Sequence, residues 1–188
     1  AVRFLNTDGS TSKAIVVCSD IALYRPGSSG EPTQGAGAVA ILLETNPTMA
    51  SIDLRESGSA SDYRGVDFRK PIEYRNGDGR THACSNIPVF NGRYSTSCYI
   101  DEMVRALEDM CARRKIGVHD YLQQVDAVFM HRPFRRMPEN GWGMAYLFSL
   151  AADEAGHAEL RRYCEKSGID FDAVLAEATE RPQVAQFG

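Results

Sequence analysis

The chain has 188 residues, an apolar fraction of 43% and a formal net charge of −4. That length suits one domain or a large piece of one, with ample apolar residue for a packed core. The slight acidity leaves no electrostatic footprint for nucleic acid or an anionic membrane, and no stretch approaches the roughly 20 apolar residues of a bilayer span.

The opening residues Ala1 to Gly9 carry no secretory pattern. Lys13 to Ser19 is a β-branched run that predicts a buried strand, with Cys18 as core filling. The stretch Gly27 to Ala38 is dominated by small residues and runs into Val39 to Leu43, a second predicted buried strand. A connection this short suits an antiparallel pair. The glycines fit either a tight strand connection or a loop that lets a ligand approach the backbone. No Gly-Lys-Ser/Thr and no following helix mark it as a phosphate loop.

Met49 to Leu54 reads as a third strand, and Arg55 to Arg93 as a long polar connection with a turn signal at Asn76 to Gly79. His82 and Cys84 lie within it; a nucleophile pair there would still need a third group to orient the base. Ser95 or Thr96 is the expected cap of a strong helix. Ile100, Met103, Leu107 and Met110 recur at helical spacing. Asp101 and Glu102 are expected near its positive end and Arg113 to Lys115 near its negative end. Gly117 is expected to stop it, and Val118 to Gln124 to form a short second helix.

The apolar run Ala127 to Met130 predicts a buried strand that delivers His131 at its end, where Pro133 stops regular structure. Arg132, Arg135 and Arg136 follow. An imidazole backed by guanidinium groups suits an anionic or carbonyl-bearing ligand; a core histidine at a strand rim with solvated arginines is the alternative. Residues 139–152 read as a helix apolar almost all round, therefore buried. Residues 153–166 and 169–179 form two more polar helices split by Ser167 and Gly168.

Five cysteines, Cys18, Cys84, Cys98, Cys111 and Cys164, are scattered, odd in number and without a C-x-x-C pair. This argues against a disulfide framework and against zinc, and suits reduced thiols in the cytoplasm. The four histidines show no metal-ligand spacing, so no metal site is expected.

Several separated stretches together resemble hydroxymethylglutaryl-CoA synthase. They are Ser19 to Tyr24, Gly30 to Ala40, Asp67 to Pro71, Asn91 to Ser95 leading into Cys98-Tyr99, and Phe129 to Phe134, in matching order and at matching intervals. The resemblance runs over roughly residues 13–140. It implies an α/β, thiolase-like layered α-β-α-β-α fold, here a partial copy: residues 1–54 the end of the first half, 55–94 the connection, 95–188 the start of the second half. The implied activity is condensation of acetyl-CoA with acetoacetyl-CoA, with CoA thioesters as substrates and no further cofactor.

The resemblance also assigns residues. His131 matches the histidine that binds the acetoacetyl thioester. Arg136 falls where the family has a lysine near CoA; the exchange keeps the cation and alters its geometry. Phe68, Thr33, Pro133 and Phe134 match residues of the substrate pocket. The family's nucleophilic cysteine and catalytic glutamate precede the segment matching residues 13–19 and have no counterpart here. The implied partner is therefore a companion polypeptide that supplies both, in a dimer or larger assembly, with no nucleic acid and no membrane. Two alternatives stay open: a non-catalytic thiolase-like subunit that binds CoA or acyl-carrier thioesters, and a polyketide β-branching synthase.

Overall fold

The computed structural model describes residues 13–24, 26–63, 74–75, 81–82 and 92–180. They fall into two compact units. One holds the described residues up to Glu56 with 74–75 and 81–82; the other holds 57–63 and 92–180.

In the first unit, β1 (Lys13–Ala22) and β2 (Gly35–Glu44) form an antiparallel ribbon, in register from Lys13 opposite Glu44 to Ala22 opposite Gly35. A 3.2 Å ion pair between Lys13 and Glu44 closes its open end. The pairing puts Ile15, Val17 and Leu42 on one face and Val16, Cys18, Val39 and Ile41 on the other. The strands are those the β-branched runs predict, but the expected burial is corrected. Ile15 is 70% exposed and Val39 59%. Cys18 is exposed rather than core filling. A two-stranded ribbon has no layer of its own to cover either face.

The expected third strand at 49–54 is also corrected: the chain is irregular there and then makes a 3₁₀ turn at Leu54–Glu56. The Asp53 carboxylate accepts from the Arg55 backbone N–H at 2.9 Å and its guanidinium at 3.0 Å. That local bonding replaces a ladder and holds the Asp53 carboxyl below its ordinary range. β3 (Tyr74–Arg75) and β4 (Thr81–His82) pair antiparallel around the Asn76 to Gly79 signal, which itself lies outside the described residues, as does Cys84.

The second unit is helical. α1 (Gly92–Arg114) begins three residues before Ser95, which is buried inside it rather than capping it. The Thr96 hydroxyl likewise bonds back to the Gly92 carbonyl at 2.9 Å, as a mid-helix threonine does. With this earlier start, Asp101 and Glu102 sit in the helix interior, beyond the reach of its N-terminal charge, and Glu102 instead meets Arg105 at 3.3 Å. Val104, Leu107 and Cys111 form the buried stripe.

The helix ends at Lys115, not at Gly117. Lys115 takes φ 56°, and the N–H groups of Lys115 and Ile116 close on the carbonyls of Ala112 and Cys111. Gly117, in extended conformation, instead precedes α2 (Val118–Gln124). Residues 57–63 lie along α1: the Ser59 N–H donates to Asp109 at 2.9 Å, and a Cβ on Gly58 would collide with the backbone at Ala106 and Met110.

α3 (Met137–Ala152) is the central helix, and its nearly all-round apolarity explains why. One side contributes Ala145 to a core with Val104, Leu107, Cys111 and Leu122; the other contributes Leu150 to a core with Leu160, Cys164 and Phe171. Asp153 caps α4 (Glu154–Ser167), accepting from the Ala155 N–H at 3.1 Å. Gly156 lets α4 cross the end of α3, since a Cβ there would stand 2.6 Å from the Leu150 carbonyl oxygen. Gly168, at φ 67°, ends α4 and leads to α5 (Phe171–Glu180), which the Arg161 guanidinium tethers by stacking 3.9 Å from the Phe171 ring.

Candidate functional site

His131 lies in an irregular segment between α2 and α3, not at the end of a strand. Ala127 to Met130 has no ladder partner among the described residues, and a short apolar run without a neighbour cannot form a strand. Phe129 is 96% exposed. His131 is exposed as well, so within this chain it is not packed in a core.

The segment is nevertheless tied down. The Tyr99 hydroxyl, from the second turn of α1, donates to the His131 backbone carbonyl at 2.8 Å. Burial pushes the Tyr99 phenol up from its ordinary value, so it stays a protonated donor. Downstream, the Met137 N–H bonds the Phe134 carbonyl at 3.2 Å and the Asn140 N–H bonds the Arg136 carbonyl at 2.8 Å, which starts α3.

Pro133 is half-buried and Phe134 is 41% exposed. Arg132, Arg135 and Arg136 are exposed and make no ion pair among the described residues. The segment therefore presents an imidazole and three guanidinium groups to its surroundings, a donor array suited to carbonyl, carboxylate or phosphate oxygens.

Thr33 belongs to the other unit. It ends the 3₁₀ turn Glu31–Thr33, where its hydroxyl donates to the Gly30 carbonyl at 2.7 Å. The Glu31 carboxylate accepts from the Gly27 N–H at 2.7 Å, and Gly27 needs its φ of 76° to offer it. Gly30 passes the Tyr24 ring so closely that a Cβ would stand 2.6 Å from Cδ1. The glycine-rich loop is thus a self-bonded turn whose threonine has spent its proton and keeps its lone pairs. Phe68 lies outside the described residues. The structure brings His131, Pro133, Phe134 and Arg136 together in one segment.

Two of the cysteines are inert by placement. Cys111 is 1% exposed, and burial pushes its thiol above the ordinary value. Cys164 is 5% exposed. Among the described residues no group of three or more His, Cys, Asp or Glu is placed to hold a metal ion, and no helix is long and apolar enough to cross a membrane. The residue that sequence reasoning passed over is Tyr99: its partner is a backbone carbonyl 32 positions away, which no spacing rule reveals.

The chain is similar in fold to the solved structure of MvaS in complex with 3-hydroxy-3-methylglutaryl coenzyme A. The TM-score is 0.59 at 23% identity, over 93% of this chain and 38% of that one. The chain is thus a partial copy of a thiolase-like fold. No protein-family model matches it. Over 175 residues it is 32% identical to hydroxymethylglutaryl-CoA synthase A of Dictyostelium discoideum, covering 88% of this chain and 33% of that protein. Over 127 residues it is 34% identical to the hydroxymethylglutaryl-CoA synthase of Haloferax volcanii, covering 66% of this chain and 24% of that protein. The sequence thus matches the central part of hydroxymethylglutaryl-CoA synthases, and the chain spans about a third of the length of its first curated relative, 33%.

Proposed function

We propose that this chain is the part of a hydroxymethylglutaryl-CoA synthase-type enzyme that presents His131 to the acetoacetyl thioester, while a companion polypeptide supplies the nucleophile and the general acid/base. The observation that carries the reading is the exposed His131 in a segment held by Tyr99 and flanked by three exposed arginines that make no ion pair among the described residues. By the resemblance none of the five cysteines lies in the family's nucleophile motif, which supports a nucleophile from elsewhere; Cys111 and Cys164 are buried besides.

In this reading the companion's cysteine thiolate attacks acetyl-CoA, CoA leaves as the thiol, and an acetyl-enzyme forms. The companion's glutamate takes a proton from the acetyl methyl. The resulting carbon nucleophile adds to the ketone of acetoacetyl-CoA, and the same glutamate returns its proton to the new alkoxide. Water then cleaves the thioester, freeing hydroxymethylglutaryl-CoA and the cysteine. His131 donates an imidazole N–H to the thioester carbonyl and holds the ketone within reach of attack. Arg136 offers its guanidinium to the phosphates of CoA. Pro133 and Phe134, and by the resemblance alone Thr33 and Phe68, are the proposed contacts of the substrate's pantetheine and acyl groups. A cytoplasmic setting and an assembly of at least two polypeptides belong to the same proposal.

The test is labelling of the purified complex with radioactive acetyl-CoA, followed by peptide mapping. The label is expected on a cysteine of the companion. Label on Cys18, Cys98, Cys111 or any other cysteine of this chain, or elution of this chain as a stable lone monomer, would overturn the proposal.

A further inference from the structure

The segment from Val125 to Arg136 has neither helix nor ladder of its own. Among the described residues, the hydrogen bond that ties it to a distant element is the one from Tyr99 to the His131 carbonyl, at 2.8 Å. Tyr99 is itself seated by α3. An ideal Cβ on Gly141 would stand 3.2 Å from Tyr99 Cε1 and 3.2 Å from Met103 Sδ. Gly141 is buried, and its missing side chain is what lets α3 come this close to α1 beside the tyrosine. One ring thus meets both the loop and the helix that follows it: the hydroxyl holds His131 in mid-loop, and the ring edge rests on the second turn of the helix that the loop enters.

We propose that Tyr99, seated against Gly141, is a positioning residue for His131. It acts through the backbone: by fixing the carbonyl, it fixes the Cα from which the imidazole projects. This rests on the reading of His131 as the acetoacetyl contact. A catalytic donor displaced by a fraction of an ångström loses much of its effect, and one lost hydrogen bond corresponds to about a tenfold change in an equilibrium or rate. Gly141 acts on the same ring, so its effect depends on what that ring holds. An alanine there forces Tyr99 or Met103 to give way by a few tenths of an ångström.

The experiment compares Tyr99→Phe, Gly141→Ala, the double variant and His131→Ala, each in the chain assembled with its companion. Carbonyl ¹³C-histidine NMR of the chain itself accompanies the kinetics. Tyr99→Phe is expected to move one of the four histidine carbonyl signals and to leave Tm nearly unchanged. It should lower kcat for condensation about tenfold, with KM for acetyl-CoA and acetyl-enzyme formation unaltered. Adding Gly141→Ala to Tyr99→Phe should cost little more, because the ring no longer holds the carbonyl. A purely structural tyrosine would instead lower Tm and the yield of assembled enzyme while leaving kcat per folded site intact, and that result overturns the inference. So does an unmoved carbonyl signal, or an unchanged kcat in Tyr99→Phe while His131→Ala abolishes condensation. If His131→Ala is itself without effect, the reading of the site fails, and the inference with it.

Discussion

Tyr146 shows what a single side chain does in the helical unit. Its hydroxyl accepts from Gln123 Nε2 at 2.9 Å and donates to Glu159 at 2.7 Å, so α2, α3 and α4 share one polar junction between their apolar contacts. Burial first, then the bond to Glu159, pushes its phenol from 10.0 up to about 12. The folded state therefore holds this proton more tightly than the unfolded chain does. The stabilisation is complete below pH 10.0 and disappears as pH rises toward about 12. Glu159 has the opposite sign: the Tyr146 hydroxyl holds its carboxyl below the ordinary range, so its contribution is present above that range and is lost in acid. Tyr146→Phe is expected to cost about 1 kcal/mol near neutral pH, from the two lost hydrogen bonds, and to flatten the loss of stability above pH 10. Urea unfolding across pH measures both. At this scale the sequence offered the chemistry of His131 and Arg136 but not the contact from Tyr99, because a hydroxyl-to-carbonyl bond between distant residues leaves no pattern in composition or period.

At the scale of elements, two helix ends of the same geometry carry different residues. α4 ends on Gly168 at φ 67°, while α1 ends on Lys115 at φ 56°. A side chain in the left-handed region is strained and a glycine is not. Lys115→Gly is expected to be neutral or to stabilise by up to about 1 kcal/mol, and Gly168→Ala to cost about 1 kcal/mol; thermal or urea unfolding reads both. The boundary at Gly168 was legible because glycine stood at the turn, whereas Lys115 concealed the end of α1 and Gly117 suggested it two residues late. The start of α1 was misplaced for a related reason. Ser95 and Thr96 look like caps in sequence, yet a buried serine and a hydroxyl bonded to the carbonyl four residues back serve the helix interior equally well. The three C-terminal helices were legible from composition, 139–152 as apolar almost all round and 153–166 and 169–179 as more polar helices split by Ser167 and Gly168. Ala127 to Met130 reads as a strand yet is irregular, because apolar composition describes what a strand would bury and not whether a neighbour is there to pair with it.

The whole molecule is uneven. The helical unit owns two apolar cores around α3, whereas the β1–β2 ribbon is apolar on both faces and exposed on both. Sheets with two apolar faces belong between covering layers, as the similarity to a chain of which this one covers 38% also implies. In the chain alone, the ribbon amides should exchange with deuterium orders of magnitude faster than those around Leu150, and the ribbon should be protected once the companion binds. Slow exchange in the isolated ribbon would mean that its faces are already covered. The layered fold was legible only through the resemblance, because neither strand periodicity nor charge says how many layers a ribbon lacks.

In the proposed function His131 handles the acetoacetyl thioester while another polypeptide carries the acetyl group. That reading is tested most directly by His131→Ala in the assembled enzyme, with acetyl-enzyme formation and condensation measured separately. Acetylation of the companion is expected to survive nearly intact while condensation falls by about 10²-fold or more. Condensation at the unmodified rate would contradict the reading.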